Sequence, residues 1–517
     1  MDQLVFADFP STVAEKPVPD TATPLPRTPR FKPIDRQQNI LRIFALDTLL
    51  DEDHPARAIW EFLERLDLVP FETNIKAVEG HCGQSPIQTR LLIAVWLYAN
   101  CQGIGSAREV SRRCKSEPGL RWLCGDQPIN YHTLATFRVR HRDALPGLFV
   151  DALGVLSHQG LISLRQVAHD GTRIRAVAGG SSFHREATLE EHRTAAAAQV
   201  AALAAEVSSG DNARQTAARR RAAVEREQRL QQALQQMPQH RESKDTEKEK
   251  AAARVSESEP EARKMKLAEG GYAPAYNAQV TSDGGEGGLI INLQMTQSGS
   301  DFQQLQPALE EVRENFGKMP GQTLVDGGYL SRNDIVALEG RTDVIGPYDQ
   351  DGARASAQCR RRGIAEEYTP QFFVFDQKTN RLQCPAGCYL EYHQSNKTKD
   401  KIDHVYRANP SDCAGCARKA QCCPQTSMRT VTRIEEPDAV LRFRKKMEQP
   451  DVQTLYQRRS QIAEFPFCWI KEKFGLRRFH VRGLDKAFLE LLWYALAYNI
   501  RQWMRLRWHV DPVAAVA

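Results

Sequence analysis

Two acidic residues follow short apolar runs in the sequence, and they constrain the fold more than any other feature. Asp170 lies in "LRQVAHDGTRIRAVAG", where small and β-branched apolar residues surround it. Asp326 ends the apolar run in "GQTLVDGGYLS" and precedes two glycines. Burying an ionised carboxylate without a partner costs several kcal/mol, so each acid requires a counter-ion or a metal. We therefore interpret both segments as strands of a sheet that carries its acids near the strand ends.

Two acids on neighbouring strands repel each other unless a divalent cation lies between them. Mg²⁺ (or Mn²⁺) prefers carboxylate oxygens and keeps water positions open for a phosphate. A third acid on a nearby helix would complete a two-metal site for attack on a phosphodiester. Glu464 lies among apolar residues and is the candidate, whereas Glu472 is flanked by lysines and is interpreted as a solvated ion-pair residue. A purely structural role for the acids is the alternative.

Length and composition predict a soluble protein with several domains. The chain has 517 residues, of which 41% are hydrophobic and 26% charged, and its net charge of +6 is only mildly basic. No apolar run approaches the length of about eighteen residues that spans a membrane. The N-terminus lacks the basic and apolar segments of a secretory signal. We expect a cytoplasmic, nucleoid-associated protein whose cysteines stay reduced.

The pattern along the chain predicts an α/β fold with two insertions. Apolar and polar residues alternate with strand and helix periodicity in different segments, and composition changes sharply between them. The predicted order is a flexible Pro-rich arm (1–36), a helical DNA-binding domain (37–150), the first part of a catalytic core (160–184), a helical or coiled-coil insertion with a linker (185–265), the continued core (266–348), a cysteine-bearing insertion (349–435) and a C-terminal helical part of the core (436–508).

The first helical region has the order of a helix-turn-helix. Ser85 is the predicted N-cap of one helix, and Ser106 begins a second, with Glu109 completing a capping box. A third helix carries Arg138 and Arg140. Two short helices before a basic one fit a DNA groove reader. The alternative is a helical bundle whose arginines are solvated.

The first insertion is rich in Ala, Gln, Glu and Arg, with apolar residues at three- and four-residue spacing. This pattern predicts a helical hairpin or coiled coil. The sequence "SSGD" at 208–211 is expected to break the helix, and Pro238 to end it. The polar segment 241–264 that follows predicts a mobile linker.

The continued core reads as alternating strands and helices. The segments "AYNAQVTSD" and "GLIINLQMTQS" predict two strands, and "GGEGG" between them predicts a hairpin. Asp301 and Ser331 are each expected to cap a helix, and "TDVIGPY" is a further short strand. This order predicts a mixed α/β sheet.

Six cysteines are grouped within the second insertion, and their spacing approaches that of a zinc ribbon. Cys384 and Cys388 are four positions apart, Cys413 and Cys416 three, and Cys422 follows. Reduced chains use such clusters for metals more often than for disulfides. The predicted zinc ligands are Cys384, Cys413, Cys416 and Cys422; reduced thiols and an iron–sulfur cluster remain alternatives. The thirteen histidines show no metal-binding spacing.

Several motifs together resemble a DDE transposase of a bacterial insertion sequence, of the eleven-eighty-two type within the insertion-sequence-four-like group. They are "HDGTRIRAVAG", "YNAQVTSD", "TQSGSDFQQLQPAL", "LVDGGYLS" and "RRSQIAEFPFCWIKEKFGLRRFHVRGLDKA", and the resemblance spans most of residues 35–505. It implies a ribonuclease-H-like core that cleaves DNA at the element's ends and transfers them into target DNA. It also implies terminal inverted repeats as partners and a homodimer on the DNA ends.

The resemblance assigns roles to individual residues. Asp170, Asp326 and Glu464 correspond to the acids that hold two Mg²⁺ ions. Tyr456, Arg459 and Lys471 correspond to the residues that hold the cleaved end, although Arg459 lies one position further from Glu464 than in the commonest spacing. Basic residues interleaved with aromatics after residue 440 fit a DNA channel. The alternatives are a nuclease that cuts without joining, and an inactive protein that only binds terminal repeats.

Overall fold

The computed structural model describes residues 45–73, 75, 77, 85–205, 213–244, 246–348, 350–397 and 402–508, without the side chains of 214 and 350–354. The predicted arm (1–36) and the predicted helix break (208–211) lie outside these residues.

The helices and strands follow one another in three groups. The first group consists of α1 (Pro55–Leu63), α2 (Thr89–Cys101), α3 (Ala107–Arg113), α4 (Pro118–Leu123), α5 (Tyr131–Arg140) and α6 (Ala144–His158). The second group consists of β1 (Gln166–Arg175), β2 (Phe183–His184), α7 (Glu186–Ala205), α8 (Ala213–Glu242), α9 (Glu247–Ala251), β3 (Val255–Ser256), β4 (Arg263–Lys266), β5 (Tyr272–Asp283), β6 (Ile290–Thr296), α10 (Leu305–Phe316), β7 (Gln322–Val325), α11 (Arg332–Leu338) and β8 (Asp343–Ile345). The third group consists of α12 (Gln350–Arg361), β9 (Val374–Asp376), β10 (Arg381–Gln383), β11 (Tyr389–Lys397), β12 (Ile402–Ala408), α13 (Pro410–Ala414), α14 (Lys419–Cys422), β13 (Thr430–Glu435), α15 (Asp438–Met447), α16 (Pro450–Gln457), α17 (Arg459–Cys468), a π-helical turn (Trp469–Lys473) and α18 (Leu484–Leu506).

The main sheet is mixed, as the sequence predicts. Its order is β4-β5-β1-β7-β8, and β6 pairs with β5 beyond the end of β4. Strand β1 is antiparallel to β5 and parallel to β7, and β7 is parallel to β8. The predicted hairpin is confirmed, because β5 and β6 are antiparallel neighbours. Ser331 caps α11 through a capping box with Asp334.

The helical N-terminal region shares one hydrophobic core with α18 and the main sheet. Trp96 on α2 and Trp493 on α18 are fully buried in the same cluster as Val167 on β1. Helix α2 is apolar on nearly every side because it is enclosed in this way. The prediction of Ser85 as the N-cap is wrong, because α2 begins at Thr89. Residues 85–88 are exposed, and the buried part of this segment starts at Thr89.

The first insertion is a pair of helices, α7 and α8, held together by an apolar seam. Leu189 on α7 and Met237 on α8 belong to one buried cluster. The prediction that Pro238 ends the helix is wrong, because α8 continues through it to Glu242. An ion pair of 2.5 Å between Arg241 and Glu186 of α7 supports that final turn.

The prediction of a mobile linker at 241–264 is also wrong. This segment contains α9 and β3 and begins β4. Glu259 explains the order, because its buried carboxylate accepts hydrogen bonds from the amides of Ala178 and Gly483 and from the Tyr276 hydroxyl. These contacts tie the polar segment to the core, which composition alone could not indicate.

A second, antiparallel sheet lies between β8 and α15. Its order is β13-β12-β11-β10-β9. Phe373, Leu382, Leu390 and Tyr406 form its own buried cluster, separate from the main core. Cys384 and Cys388 lie in the connection between β10 and β11, Cys413 lies on α13, and Cys422 ends α14.

Candidate active site

The register of the main sheet brings Asp170 and Asp326 side by side. Ala168 pairs with Leu324 and His169 with Val325 in the parallel ladder of β1 and β7. Continuing that register by one residue places Asp170 next to Asp326. Adjacent strands lie about 4.8 Å apart. Asp326 directly follows β7, whereas Asp170 lies in the middle of β1, which continues to Arg175.

Helix α17 covers the face of the sheet that carries both acids. Its Ile462 and Ala463 pack in one buried cluster with Ala168 and Leu324. Because side chains two residues apart on a strand point to the same face, Asp170 shares the face of Ala168. Glu464, the next residue of α17, is exposed at this packed helix. The competing acid Glu472 is exposed and forms an ion pair with Arg477, as expected from its neighbours.

The counter-ion of Asp170 in this structure is Arg459. Arg459 Nη1 lies 3.1 Å from Asp170 Oδ2, and only about a fifth of each side chain is exposed, 17% and 22%. Burial raises the pKa of Asp170, and the Arg459 charge and the Gly171 amide counteract part of that rise. Burial also works to lower the pKa of Arg459, but the charges of Asp170 and neighbouring groups outweigh it and leave the pKa raised.

Each aspartate is oriented by the glycine that follows it. The Gly171 amide donates to Asp170 Oδ1 at 2.8 Å, and the Gly327 amide donates to Asp326 Oδ1 at 2.7 Å. A Cβ on Gly171 would lie 2.6 Å from Asp301 Oδ1, so this glycine is required by close packing. The second carboxylate oxygen of Asp326 accepts no hydrogen bond among the described residues.

A buried polar network lies on the opposite face of β1. Gln279 donates to Asp301 at 2.9 Å and accepts from the Tyr329 hydroxyl at 2.6 Å, while His169 Nε2 lies 3.1 Å from Gln279 Oε1. Asp301 also pairs with Arg173 at 3.1 Å. Asp301 was expected to cap α10, but Gln304 is the N-cap residue. Asp301 instead supports the strand that carries Asp170, a role without a local sequence signal.

The residues predicted to hold a DNA end lie along the same helical segment. Tyr456 packs against the buried cluster of Ala168 and Ile462, and burial raises its pKa. Lys471 Nζ donates to the Arg173 carbonyl on β1 at 3.3 Å, and burial lowers its pKa. Helix α17 continues through Pro466 and into the π-helical turn that carries Lys471. The predicted alignment of Glu464 with Lys471 requires this continuity.

The donor chemistry of the three acids fits a hard divalent cation. Asp170 within β1 and Asp326 directly after β7 present carboxylate oxygens on neighbouring strands, and Glu464 lies exposed on the covering helix. The three do not form a tight group: among the described residues, the only His, Cys, Asp or Glu set with all ligand atoms within 4.8 Å is His184, His192 and Glu257. The joint role of the acids therefore stays a prediction.

The structure does not support a DNA contact by Arg138. This arginine is 6% exposed, donates to the Gly105 carbonyl at 2.6 Å and pairs with the buried Glu490 at 3.4 Å. Its guanidinium also stacks 4.6 Å from the Trp96 ring. The Arg138 side chain is buried in the core because α5 packs against α18. Arg140, two residues later, is exposed and remains a candidate DNA contact.

The six cysteines between residues 384 and 423 surround one small pocket, and all of them are free. Burial raises the pKa of the Cys422 thiol to about 12, and the pKa of Cys388 is raised by burial and by the nearby Cys384. No three of the sulfurs lie within 4.8 Å of one another. The pocket is lined by Cys384, Cys388, Cys413, Cys416, Cys422 and Cys423 together with Arg429. A zinc site here stays a prediction, and it requires the cysteine sulfur atoms to move closer to one another.

A mixed sheet with acids on neighbouring strands, covered by a helix that carries basic residues, is compatible with an enzyme that cuts nucleic acids. The family comparisons lead to the same class. Residues 44–140 match a family described as "Transposase domain (DUF772)", and residues 383–504 match one described as "Transposase DDE domain". These two matches support a DDE transposase family. No curated protein and no solved structure matches the chain.

The two matched regions correspond to distinct parts of the fold. The first covers α1 to α5, and the second begins just before Cys384 and includes α17 with Glu464. Asp170 and Asp326 lie in the unmatched middle of the chain. No helix in the described part of the chain is long and apolar enough to cross a membrane.

Proposed function

We propose that the protein is a transposase that cleaves DNA at the ends of an insertion sequence and joins them to target DNA. The observation that carries this proposal is the parallel register of β1 and β7, which sets Asp170 beside Asp326 under α17. The antiparallel β6-β5-β1 strands followed by parallel β7 and β8 are compatible with a ribonuclease-H-like core. The two transposase domain matches support the same conclusion from other parts of the chain.

Asp170, Asp326 and Glu464 would hold Mg²⁺ or Mn²⁺ in this proposal. Two such ions, when bound, activate a water or a 3′-hydroxyl and stabilise the leaving oxygen. The glycine amides hold Oδ1 of each aspartate, while Oδ2 of Asp170 pairs with Arg459 and Oδ2 of Asp326 accepts no hydrogen bond among the described residues. The ion pair with Arg459 counteracts part of the rise that burial causes in the pKa of Asp170 and so favours the charged form that a metal ion requires.

Basic residues around the acids would bind the DNA backbone. Lys471 donates to the Arg173 carbonyl of β1. Arg173 lies three residues after Asp170 on that strand, which corresponds to about 10 Å. Arg459 and Tyr456 lie beside the acids themselves. Phosphate contacts position the DNA without reading its sequence. Terminal repeats would be recognised elsewhere, with Arg140 in the helical region as a candidate contact, and end-bound homodimers would join the two ends.

The proposal is tested by a matched pair of substitutions on the same helical segment. Glu464→Gln removes a proposed metal ligand and should abolish cleavage of DNA that carries the sequences flanking the reading frame. Glu472→Gln removes an exposed acid whose partner is Arg477, and should leave cleavage within about twofold, as surface changes away from a site usually do. Both variants should be assayed in Mg²⁺ with uncut ends, which report cleavage, and with pre-cleaved ends, which report joining.

The same assay separates the other functions. Cleavage without joining of pre-cleaved ends would identify a nuclease and contradict strand transfer. Specific binding to the ends without cleavage by the unmodified protein would identify an inactive DNA-binding protein. Loss of activity in Glu472→Gln but not in Glu464→Gln would show that the third acid is assigned wrongly.

A further inference from the structure

Outside the candidate active site, three metal-ligating side chains converge at the base of the first insertion. His184 ends β2, His192 lies in the second turn of α7, and Glu257 directly follows β3. Their ligand atoms all lie within 4.8 Å of one another. His192 Nδ1 is 2.7 Å from Glu257 Oε2, and the rings of His184 and His192 are 5.0 Å apart. We call these three residues the neck site.

We propose that the neck site binds a divalent transition metal of the zinc type. Two imidazole nitrogens and one carboxylate oxygen form a ligand set that Zn²⁺ takes in proteins. Imidazole suits Zn²⁺, Co²⁺ and Ni²⁺, whereas Mg²⁺ and Ca²⁺ prefer oxygen ligands. The site therefore differs in metal class from the three acids, and the inference does not depend on the proposed transposase activity.

The spacing of the three groups is close to that of a bound ion. Zn²⁺ bonds of about 2.1 Å place two ligand atoms about 3.4 Å apart in a tetrahedral site. Small side-chain rotations would bring atoms within 4.8 Å to this distance. His192 and Glu257 are 34% and 29% exposed, so an ion can enter from solvent and water can take the open position.

The position of the neck site gives the metal a structural consequence. Strands β2 and β3 pair as the chain leaves and re-enters the core, with Phe183 opposite Ser256 and His184 opposite Val255. His192 belongs to the first helix of the insertion. A metal bound to all three residues would therefore fasten α7 to the paired strands and fix the direction in which the insertion leaves the core.

Metal titration of the full-length protein tests this inference. Removing a residue that merely supports a metal ligand typically costs 10- to 100-fold in affinity, so His184→Asn, His192→Asn and Glu257→Gln should each weaken Zn²⁺ binding by about 100-fold or more. The matched control is His404→Asn, because His404 also pairs with a glutamate, Glu435 at 3.0 Å, but forms no three-ligand group among the residues that the structure describes. Excess Mg²⁺ should not compete.

Co²⁺ separates the neck site from any metal held by the cysteines. Nitrogen and oxygen ligands give visible Co²⁺ absorption without the intense near-ultraviolet thiolate bands that cysteine ligands produce. The assay should be repeated with Cys413→Ser and Cys416→Ser together, and the neck signal should persist. Equal Zn²⁺ and Co²⁺ stoichiometry in the unmodified protein and all three neck variants would overturn the proposal and leave a simple hydrogen-bonded cluster.

Discussion

At the residue scale, two arginines act as counter-ions to buried acids within the fold. Arg459, the first residue of α17, pairs with Asp170 of β1, and Arg138 of α5 pairs with Glu490 of α18. Both were predicted to contact DNA, because a basic residue on a helix has the same sequence appearance whether it binds a phosphate or pairs with an acid. Arg459 lies at the candidate active site and stays a proposed DNA contact, whereas Arg138 is buried in the core. Glu490 is fully buried, and it also accepts hydrogen bonds from the backbone and ring of His480.

Substituting the two arginines of α5 should separate stability from DNA binding. Arg138→Met leaves Glu490 buried without its guanidinium partner and should lower the free energy of unfolding by about 3–5 kcal/mol. Arg140→Met is the matched control, since its exposed side chain should change stability by no more than about 0.5 kcal/mol and instead weaken DNA binding. Urea unfolding and gel-shift assays measure the two effects. Equal stability of both variants would contradict the buried role of Arg138.

At the scale of elements, the sequence predicted the strands that carry the acids better than it predicted their connections. Asp170 and Asp326 stand out because apolar strand residues surround them, and the hairpin and the α11 cap have local signals. The segment 241–264 was misread because its order comes from distant partners of Glu259. The neck site was missed because Glu257 is separated from His184 by the whole insertion, so no spacing motif exists.

The docking of α8 onto the core should depend on pH through His240. Burial and the charges of Arg263 and Lys244 lower the pKa of His240 to about 4. The unfolded chain, with the ordinary value of 6.5, takes up its proton first as the pH falls. Stability is therefore lost between about pH 6.5 and 4 and is fully present above this window.

Substitution of His240 provides the measurement. His240→Gln should reduce the loss of Tm between pH 7 and pH 5, while the exposed His158→Gln should leave that loss as it is in the unmodified protein. Because His240 is only partly buried, we expect a small effect. An unchanged pH dependence in His240→Gln would show that this histidine does not couple to folding.

At the scale of the whole molecule, the helical N-terminal region and the main sheet share one core, and we expect them to unfold as one unit. Trp493 on α18 packs beside Phe137 of α5, with ring centroids 6.2 Å apart, and donates to the Arg138 carbonyl at 3.1 Å. The same core cluster reaches Ile174 of β1. DNA bound by the helical region would therefore be held on a body continuous with the acids.

A large-to-small substitution in the shared core should affect both regions together. Trp493→Ala should cost about 3–5 kcal/mol and raise hydrogen exchange in α5 and β1 alike. Phe373→Ala lies in the separate cluster of the second sheet and should raise exchange there without the same change in β1. If Trp493→Ala affected α5 but left β1 protected, the two regions would fold independently.

The most direct test of the central claim is the cleavage activity of Asp326→Asn in Mg²⁺. This substitution keeps the shape of the side chain and removes one charge from the proposed metal site. We expect cleavage of the element's ends to be lost while binding to those ends persists, because the phosphate contacts come from basic residues rather than from the acids. Cleavage at the unmodified rate would show that Asp326 is not a metal ligand and would contradict the proposed mechanism.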